Sequence, residues 1–401
     1  MNILVFNCGS SSLTYKIFHI DKAGNPEVLL SGKAHRVGVK GTEGSFVENK
    51  YKNKVFKEVI EIKDHRQAAG LALKFINENK IVVDYAGNRF VHGGNKFDGS
   101  VIITKDVFKK LVECLPLAPI HNPVSLSVIS ETEKVLVDVP QYVAFDSAFH
   151  CNLPEYAYRY ALPQKMVEEY GFRKYGFHGL SYSYVTVKSA ETLGKTKEEI
   201  KIVACHLGTG GASVAAIKNG YSVDTSMGYS PLPGLVMSTR CGDIDPMLAI
   251  YMMVRYKYKP DDLMDVFNKK SGLLGVSGIS GDIRDVIDSV SKEETQGALA
   301  FKMYIHRLKK YIGSYIAVLG GIDVLVFTDD IGVHNSQVRS KVCERMEWAG
   351  IEIDENKNKE VSDDKVCLID KEGSRVHLLT VPTEEELVIC LEGIKIIKGI
   401  K

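Results

Sequence analysis

The sequence predicts an α/β protein made of two duplicated domains with a ligand cleft between the halves. Two loops of small residues each follow an apolar strand and lead into a second strand, at residues 7–12 and 206–211. Glycines let the backbone approach an anion closely, and N–H groups with Ser or Thr hydroxyls can then bind a phosphoryl group. Either loop alone could be an ordinary hairpin turn. Two such loops about 200 residues apart indicate a duplication that binds phosphate.

Length and composition agree with this organisation. A chain of 401 residues with 45% hydrophobic content exceeds what one core usually supports, so two domains are expected. We place the N-terminal domain at 1–150, the C-terminal domain at 151–385, and a C-terminal helix at 386–401 that packs back on the first domain.

Charge and cysteine usage exclude several classes of function. The 51 Lys and Arg residues balance 50 Asp and Glu residues, which argues against binding to nucleic acid or to an anionic membrane. No apolar run reaches the length of a membrane helix, and no signal-peptide pattern precedes the first strand. Eight cysteines without a CxxC pair predict reduced thiols, so we expect a cytoplasmic protein. A nucleophilic thiol at Cys8, Cys205 or Cys241 is a minor alternative.

Hydrophobic periodicity, together with capping residues and prolines, predicts the helices and strands between the two loops. Asp64 is the expected N-cap of the first helix, and Pro119 and Pro123 predict an extended segment at residues 120–122. Residues 356–364 are expected to form a charged loop. Strands are expected within 3–18, 28–62, 90–91, 142–145, 202–217 and 324–327. Helices are expected at 65–80, 105–114, 181–193, 245–256, 261–269, 296–319 and 336–348, with a terminal one from Thr383.

Basic and acidic side chains recur where the predicted strands end. Each one alone is more often structural, but ligands of α/β sheets collect at the C-terminal ends of strands, so the recurrence favours a site. These residues are Arg89, His121, Asp146, His178, His206 and Arg240.

Nine segments carry a resemblance to the acetate kinase family, which belongs to the larger actin-like (ribonuclease H-like) group of sugar kinases and heat-shock ATPases. The resemblance runs from residue 2 to about residue 392, in order. The segments are FNCGSSSLTYK, RFVHGG, LAPIHNP, AFDSAFH, KYGFHGLSY, ACHLGTGG, DTSMGYSPLPGLVMSTRCGDIDP, NKKSGLLGVSGISGDIRD and PTEEELVI. The resemblance implies two actin-like domains, reversible phosphoryl transfer between acetyl phosphate and acetate, and a homodimer formed through the second domain.

The resemblance also implies roles for individual residues. Arg89 and Arg240 would flank the acyl phosphate, His178 would stabilise the transition state, and Asp146 would be the active-site carboxylate. The supporting residues near the phosphoryl group would be His121 and His206. Asn7 and Glu385 would hold Mg²⁺ or Mn²⁺, directly or through water. The acetate pocket would comprise Val91, Ile120, Phe177 and Pro231. The phosphate and nucleotide contacts would be Ser10, Ser11, Ser12, Lys16, His206, Gly208, Thr209, Gly210, Gly211, Asp282, Arg284, Asp330 and Gly332.

The chemistry is compatible with these roles. A carboxylate substrate is already ionised near neutral pH, so it needs no general base. The obstacle is repulsion between two anions, which Arg, His and Mg²⁺ would relieve while aligning an in-line transfer. Asp146 would then position a group rather than remove a proton.

Four positions depart from the usual family pattern. Thr14 stands where Lys is usual and Thr209 where Asn is usual, and Asp329 and Asp330 replace small residues. Two carboxylates there would fill space near the nucleotide and repel its phosphates. We therefore expect diphosphate and phosphate as the partner pair, slightly ahead of the alternative pair ATP and ADP. The sequence also leaves open a sugar or longer-chain carboxylate kinase and a non-catalytic ligand-binding member of the fold.

Overall fold

The computed structural model describes residues 1–39, 44–292 and 295–399. Its strands are β1 (Asn2–Cys8), β2 (Ser12–Ile20), β3 (Pro26–His35), β4 (Phe46–Tyr51), β5 (Lys54–Val59), β6 (Tyr85–Phe90), β7 (Val101–Ile102), β8 (Gln141–Phe145), β9 (Lys201–Leu207), β10 (Ala212–Lys218), β11 (Tyr221–Thr225), β12 (Val324–Thr328), β13 (Cys367–Leu368) and β14 (His377–Val381). Its α-helices are α1 (His65–Glu78), α2 (Lys105–Glu113), α3 (Asn122–Val135), α4 (Glu155–Tyr158), α5 (Gln164–Tyr170), α6 (Gly179–Thr192), α7 (Pro246–Tyr256), α8 (Pro260–Lys269), α9 (Gly272–Ser277), α10 (Ile283–Ser291), α11 (Thr295–Leu319), α12 (Asp329–His334), α13 (Ser336–Cys343), α14 (Glu355–Lys359) and α15 (Glu385–Ile397).

The chain divides into two compact units, Met1–Phe149 with Glu384–Lys401, and His150–Thr383. The described strands of the first unit have the order β5-β4-β3-β2-β1-β6-β8-β7, and those of the second have the order β11-β10-β9-β12-β14-β13. Each sheet contains the same plan of five strands. The first three strands in chain order are antiparallel neighbours, and two later strands continue the sheet in parallel from the first. The predicted α/β class and the duplication are confirmed.

The two glycine loops are turns of equivalent hairpins. The first connects β1 to β2, and the Gly9 N–H donates to the Ser12 carbonyl at 2.9 Å. The second connects β9 to β10, and the Gly208 N–H donates to the Gly211 carbonyl at 3.1 Å. The hairpin-turn interpretation and the duplication are therefore both correct, because one turn geometry recurs in both units.

Burial explains why the first strand of each sheet is continuously apolar. Ile3, Leu4, Val5 and Phe6 are all fully buried, as expected for a strand that is covered on both faces. In the second unit, α11 packs on β9 and β10. Its buried residues recur at helical spacing, which puts them on one face: Ala300, Tyr304, Leu308, Ile312 and Tyr315.

Three local predictions are wrong. Residues 120–122 are not extended, because α3 begins at Asn122, whose buried side chain donates to the carbonyls of His92 and Cys114. The helix from Ser336 ends at Cys343, since Glu344 has a non-helical ψ of 126° and Arg345 has φ 62°. Part of the predicted loop at 356–364 is helical, because Asp354 caps α14 by accepting from two backbone N–H groups.

Among the described residues, no helix combines the length and the hydropathy that crossing a bilayer requires.

Candidate active site

The first unit contains an arginine held by a buried carboxylate. Arg89 lies on β6, and Asp146 follows the neighbouring parallel strand β8. The Arg89 Nε and Nη2 atoms donate to the two Asp146 carboxylate oxygens at 2.9 and 2.6 Å. Asp146 is only 1% exposed. This bidentate pair fixes the plane of the guanidinium.

Further polar groups surround this pair. Arg89 Nη1 donates to Asn7 Oδ1 at 2.9 Å and lies 3.4 Å from Glu385. The Asn7 amide in turn donates to Glu385 at 3.0 Å and to Glu386 at 2.8 Å. Burial opposes the charge of Arg89, but Asp146 and Glu385 together raise its pKa above the ordinary value.

Lys16 on β2 completes what we call the Arg89 cluster, which comprises Asn7, Lys16, Arg89, Asp146, Glu384, Glu385 and Glu386. Lys16 Nζ lies 2.6 Å from Glu384 and 3.3 Å from Glu386. Two cations therefore face four carboxylates in the cluster. The excess of negative charge and the oxygen ligands of these carboxylates suit a hard divalent cation.

The residues of the cluster fit the metal implied by the sequence. Asn7 and Glu385 offer oxygen ligands, and Mg²⁺ is usually held by one or two side chains together with water and substrate phosphate. Across the part of the chain that the structure describes, no group of three or more His, Cys, Asp or Glu side chains forms a metal cage. The fit to a metal ion therefore rests on the side-chain oxygens of Asn7 and Glu385.

His65 on α1 forms a hydrogen bond to the backbone of the first glycine loop. Ser10 and Ser11 are exposed, while the buried ring of His65 bonds through Nε2 to the Gly9 carbonyl at 2.9 Å. The Val37 N–H donates to the Ser11 carbonyl at 2.9 Å. These contacts fix the loop, and the sequence offered no periodic or spacing signal for His65.

The second unit stacks two histidines against each other. The rings of His178 and His206 have centroids 4.0 Å apart and an interplanar angle of 24°. His178 precedes α6 in the left-handed conformation, φ 60°, and its Nδ1 lies 2.8 Å from Ser213 Oγ. His206 on β9 contacts Ser181 Oγ through Nδ1 at 2.9 Å.

Arg240 differs sharply from Arg89. Its Nη1 donates to the Pro231 carbonyl at 3.3 Å and lies 3.9 Å from the Met237 sulfur. Within the described ranges, its guanidinium forms no ion pair with a carboxylate. Burial alone lowers its pKa. The positive charge of Arg240 is thus partly buried, and no carboxylate from the described part of the chain pairs with it.

Gly211 brings Arg240 and His178 together. A Cβ atom at Gly211 would lie 3.2 Å from Arg240 Nη1 and 3.5 Å from His178 Nε2. Both nitrogens therefore border the end of the second glycine loop, where the absence of a side chain leaves them close to the backbone. Three residues that the sequence singled out separately meet at this point.

Asp329 lies against the beginning of the same loop. Its Oδ2 is 3.0 Å from His206 Nε2, and a Cβ at Gly208 would collide with that oxygen. Asp329 adopts φ 65°, which non-glycine residues rarely do. The Ser238 hydroxyl donates to the Thr209 carbonyl at 2.7 Å and so ties the Arg240 segment to the loop. The next residue, Gly210, is exposed.

The remaining predicted nucleotide contacts lie on helices of the second unit. Asp282 caps α10 and pairs with the exposed Arg284 at 2.5 Å. Asp330 pairs with His334 at 3.1 Å. Gly332 is buried in α12, where its carbonyl accepts from the fully buried Arg339 at 2.9 Å. Arg339 was missed because a buried arginine has no sequence signature.

The residues predicted to form the acetate pocket belong to both units. Val91 is buried and Ile120 half exposed in the first unit, whereas Phe177 is buried and Pro231 half-buried in the second. His121 precedes α3 in the first unit and is half-buried.

The structure argues against a nucleophilic thiol. Burial raises the pKa of Cys8 to about 12, raises that of Cys205 well above its ordinary value, and also raises that of Cys241. Nucleophilic cysteines require a lowered pKa, and the shifts at these three thiols are in the opposite direction.

Comparison with known proteins decides the family. The family described as "Acetokinase family" matches residues 2–391. The chain belongs to the acetokinase family. It is 43% identical to the acetate kinase of Dictyoglomus turgidum, over 99% of this chain and 98% of that one. The crystal structure of Porphyromonas gingivalis acetate kinase matches with a TM-score of 0.87 at 40% identity, covering 99% of both chains.

A propionate kinase from Francisella tularensis is also similar, with a TM-score of 0.88, 33% identity and 98% coverage of both chains. The resemblance and the two-domain actin-like fold predicted from the sequence are therefore confirmed. Acetokinases are phosphotransferases with a carboxyl acceptor, so the predicted enzyme class is confirmed as well. The sugar kinase and non-catalytic alternatives are not supported.

Proposed function

We propose that this acetokinase-family enzyme interconverts acetyl phosphate and acetate by direct in-line phosphoryl transfer, with ADP and ATP as the partner pair. The observation that carries the proposal is the charge of Arg240, which lies beside Gly211 and His178 without a carboxylate partner among the described residues. A partly buried cation of this kind is suited to an anionic substrate.

The side chains around His178 can stabilise the transferring phosphoryl group without a general base. Ser213 can donate its hydroxyl proton to His178 Nδ1 and accept from Tyr182, whose hydroxyl is 2.5 Å away. The His178 Nε2 then carries the proton and faces the Gly211 side, where Arg240 also lies. Both donors would stabilise charge on the transferring phosphoryl group.

The Arg89 cluster would have a second role. Asn7 and Glu385 would hold Mg²⁺ or Mn²⁺, which supplies charge neutralisation at phosphoryl oxygens when bound. Asp146 would keep the Arg89 guanidinium in its plane and would not accept a proton from the substrate, since acetate is already ionised.

The comparisons favour ADP and ATP over the diphosphate pair that the sequence led us to expect. The relatives are named as acetate kinases, and a kinase in the ordinary sense uses a nucleoside triphosphate. The diphosphate preference finds no support in those names.

Diphosphate and phosphate remain a second candidate because of one observation. The Asp329 carboxylate lies against Gly208 in the predicted phosphate loop and contacts His206. An anion at this place repels a polyphosphate chain that extends past the loop.

A donor assay separates the two candidates. Acetyl phosphate and Mg²⁺ are incubated with either ADP or phosphate. ATP and diphosphate are then quantified for wild type, Asp329→Gly and the control Asp265→Ala, whose carboxylate pairs with Lys269 on the surface of α8. Faster formation of ATP in the wild type supports the main proposal. Faster formation of diphosphate overturns it, and a gain of ATP formation in Asp329→Gly alone would then assign the restriction to Asp329.

Acetate is the proposed acceptor, with propionate as a close competitor. The four residues that the family resemblance assigns to the acetate pocket are apolar, namely Val91, Ile120, Phe177 and Pro231. One extra methylene changes binding in an apolar pocket by only about 1–3 kcal/mol. Rates with acetate, propionate and butyrate would measure the preference. Equal rates with all three would refute a pocket sized for a short acid.

We also propose a homodimer through α7 of the second unit. This helix is rich in apolar residues, none of which is buried, and Leu248, Tyr251 and Val254 are more than half exposed. An apolar face of this kind is typical of an interface. Light scattering should show that Leu248→Lys shifts the protein to monomer, whereas Val318→Lys, on an exposed part of α11, does not. A wild-type monomer would refute the proposal.

A cytoplasmic location is proposed from the thiols. All eight cysteines lie in the described ranges, and none of them forms a disulfide, which is usual in a reducing compartment.

A further inference from the structure

His150 is a buried histidine that lies outside the proposed catalytic groups. It is the first residue of the second unit and is fully buried. Its Nε2 lies 3.0 Å from the Phe177 carbonyl, and its Nδ1 lies 2.7 Å from the Ser222 hydroxyl. Both ring nitrogens thus contact groups with defined hydrogen-bonding capacity.

The partners determine the tautomer of the ring. A carbonyl oxygen can only accept, so Nε2 carries the proton and donates to Phe177. Nδ1 is then the acceptor, and the Ser222 hydroxyl donates to it. Burial, with a smaller contribution from the charge of Lys174, lowers the pKa of His150 to about 4, so the ring stays neutral near pH 7.

The carbonyl that His150 holds belongs to the peptide between Phe177 and His178. This peptide is planar, so fixing its oxygen fixes the direction from which the backbone enters His178. His178 is in the left-handed region at φ 60°, a conformation that L-residues disfavour. The turn is also packed on the ring, because a Cβ at Gly176 would lie 2.6 Å from His150 Cδ2.

We propose that His150 is a positioning residue for His178: its Nε2–H holds the Phe177–His178 peptide in the orientation that places the His178 ring beside Gly211 and Arg240. This inference rests on the proposed function, in which His178 acts on the phosphoryl group. Ser222 has a supporting part, because its hydroxyl selects the tautomer that can donate to Phe177.

Kinetics of four variants test the proposal. His150→Leu removes the donor, and His150→Gln retains an N–H at a similar reach. We expect kcat to fall by between about tenfold and 100-fold in His150→Leu, with partial recovery in His150→Gln. The KM for acetate should stay within about threefold, because binding groups remain in place. Ser222→Ala should lower kcat less, and Ser189→Ala, a buried serine bonded within α6, should not lower it.

A double-mutant cycle distinguishes positioning from general stability. If His150 acts through His178, then His150→Leu should have no further effect on kcat in a His178→Ala background. Additive losses would overturn the proposal, and so would a folded His150→Leu enzyme with wild-type kcat. If His150→Leu does not fold, Ser222→Ala and Ser189→Ala are compared instead, each with His178 present and in the His178→Ala background. A loss of kcat in Ser222→Ala that persists in the His178→Ala background would overturn the proposal.

An NMR readout does not depend on turnover. Nitrogen-15 shifts of the imidazoles should report the Nε2–H tautomer for His150, and Ser222→Ala should shift the His178 ring signals while Ser189→Ala does not. An Nδ1–H tautomer, or unchanged His178 signals in Ser222→Ala, would overturn the inference. Absence of acetate kinase activity in the wild type would instead refute the proposed function, and these spectra would still decide whether His150 holds His178.

Discussion

Arg89 in the first unit and Arg240 in the second were predicted to have the same task, but their surroundings are opposite. Arg89 donates two hydrogen bonds to Asp146 and forms an ion pair with Glu385. The Arg240 guanidinium donates to a carbonyl and lies near a thioether, and no carboxylate of the described chain pairs with it. The charge of Arg89 is neutralised by Asp146, whereas that of Arg240 has no counter-ion among the residues that the structure describes.

The two arginines are therefore suited to different partners, Arg89 to neighbouring oxygen ligands and Arg240 to an incoming anion. A guanidinium between carboxylates is rigid and can orient neighbouring oxygen ligands, but its attraction for a further anion is weakened. A partly buried guanidinium without a counter-ion gains most from an incoming phosphate or carboxylate. The loss of each should therefore show in different measurements.

The largest expected effect is on stability, at Arg89. Replacing Arg89 by Leu leaves the buried carboxylate of Asp146 without its cation, which should cost about 3–5 kcal/mol in the free energy of unfolding. Urea denaturation measures this loss. The double variant Arg89→Leu/Asp146→Leu should regain much of the stability, because no buried charge remains. Unchanged stability in the single variant would contradict the described pairing.

Arg240→Ala should instead damage catalysis. Removing one preorganised donor to the transition state should lower kcat by about 10²- to 10³-fold, while the unfolding free energy stays close to wild type. Arg66→Ala, at an exposed ion pair on α1, is the control and should leave the rate unchanged. If Arg240→Ala retains wild-type rates, the contrast between the two arginines has no catalytic meaning.

Lowering the pH should reduce the free energy of unfolding, because burial disfavours the charged form of His150. Its pKa of about 4 in the folded protein lies below the ordinary value of 6.5, so the folded state resists protonation. The stabilisation is present above about pH 6.5 and is lost as the pH falls towards 4, amounting to about 3 kcal/mol. Unfolding free energies at pH 7 and pH 4.5 would show this, and His150→Gln should lose stability less steeply. Identical pH slopes for the two proteins would refute the assignment.

The smallest effect is expected at the edge of the Arg89 cluster. Lys16→Met removes ion pairs to the exposed end of Glu384 and to the buried Glu386, and it should cost less than the loss of Arg89 because the Asn7 amide still donates to Glu386. Denaturation of Lys16→Met beside the surface control Lys74→Met, whose pair with Glu78 is exposed, gives the difference. A loss as large as that of Arg89→Leu would mean that Lys16, and not Arg89, anchors the cluster.

The sequence was informative wherever local pattern determines structure. Apolar runs such as residues 3–6 and the flanking glycine loops predicted buried strands and equivalent turns, and both were found. Motif residues such as Arg89 and Arg240 could be picked out because they interrupt apolar or glycine-rich segments.

Long-range partners could not be read in the same way. The pairing of Asn7 with Glu385 joins residues 378 positions apart, and His65, His150 and Arg339 act through backbone carbonyls that leave no trace in spacing. The end of α13 was misplaced because Arg345 adopts a left-handed backbone, which arginine seldom does. The meaning of Asp329 for the phosphoryl donor also depends on its contacts, which only the fold reveals.

The first unit is assembled from both ends of the chain, since Glu384–Lys401 joins Met1–Phe149. Domains generally fold as the ribosome releases them, starting from the N-terminus. Here the amino-terminal unit must wait for α15 to leave the ribosome, whereas the uninterrupted middle portion has all of its residues earlier. A released polypeptide truncated after residue 383 should therefore resist protease in its second unit and remain sensitive in its first.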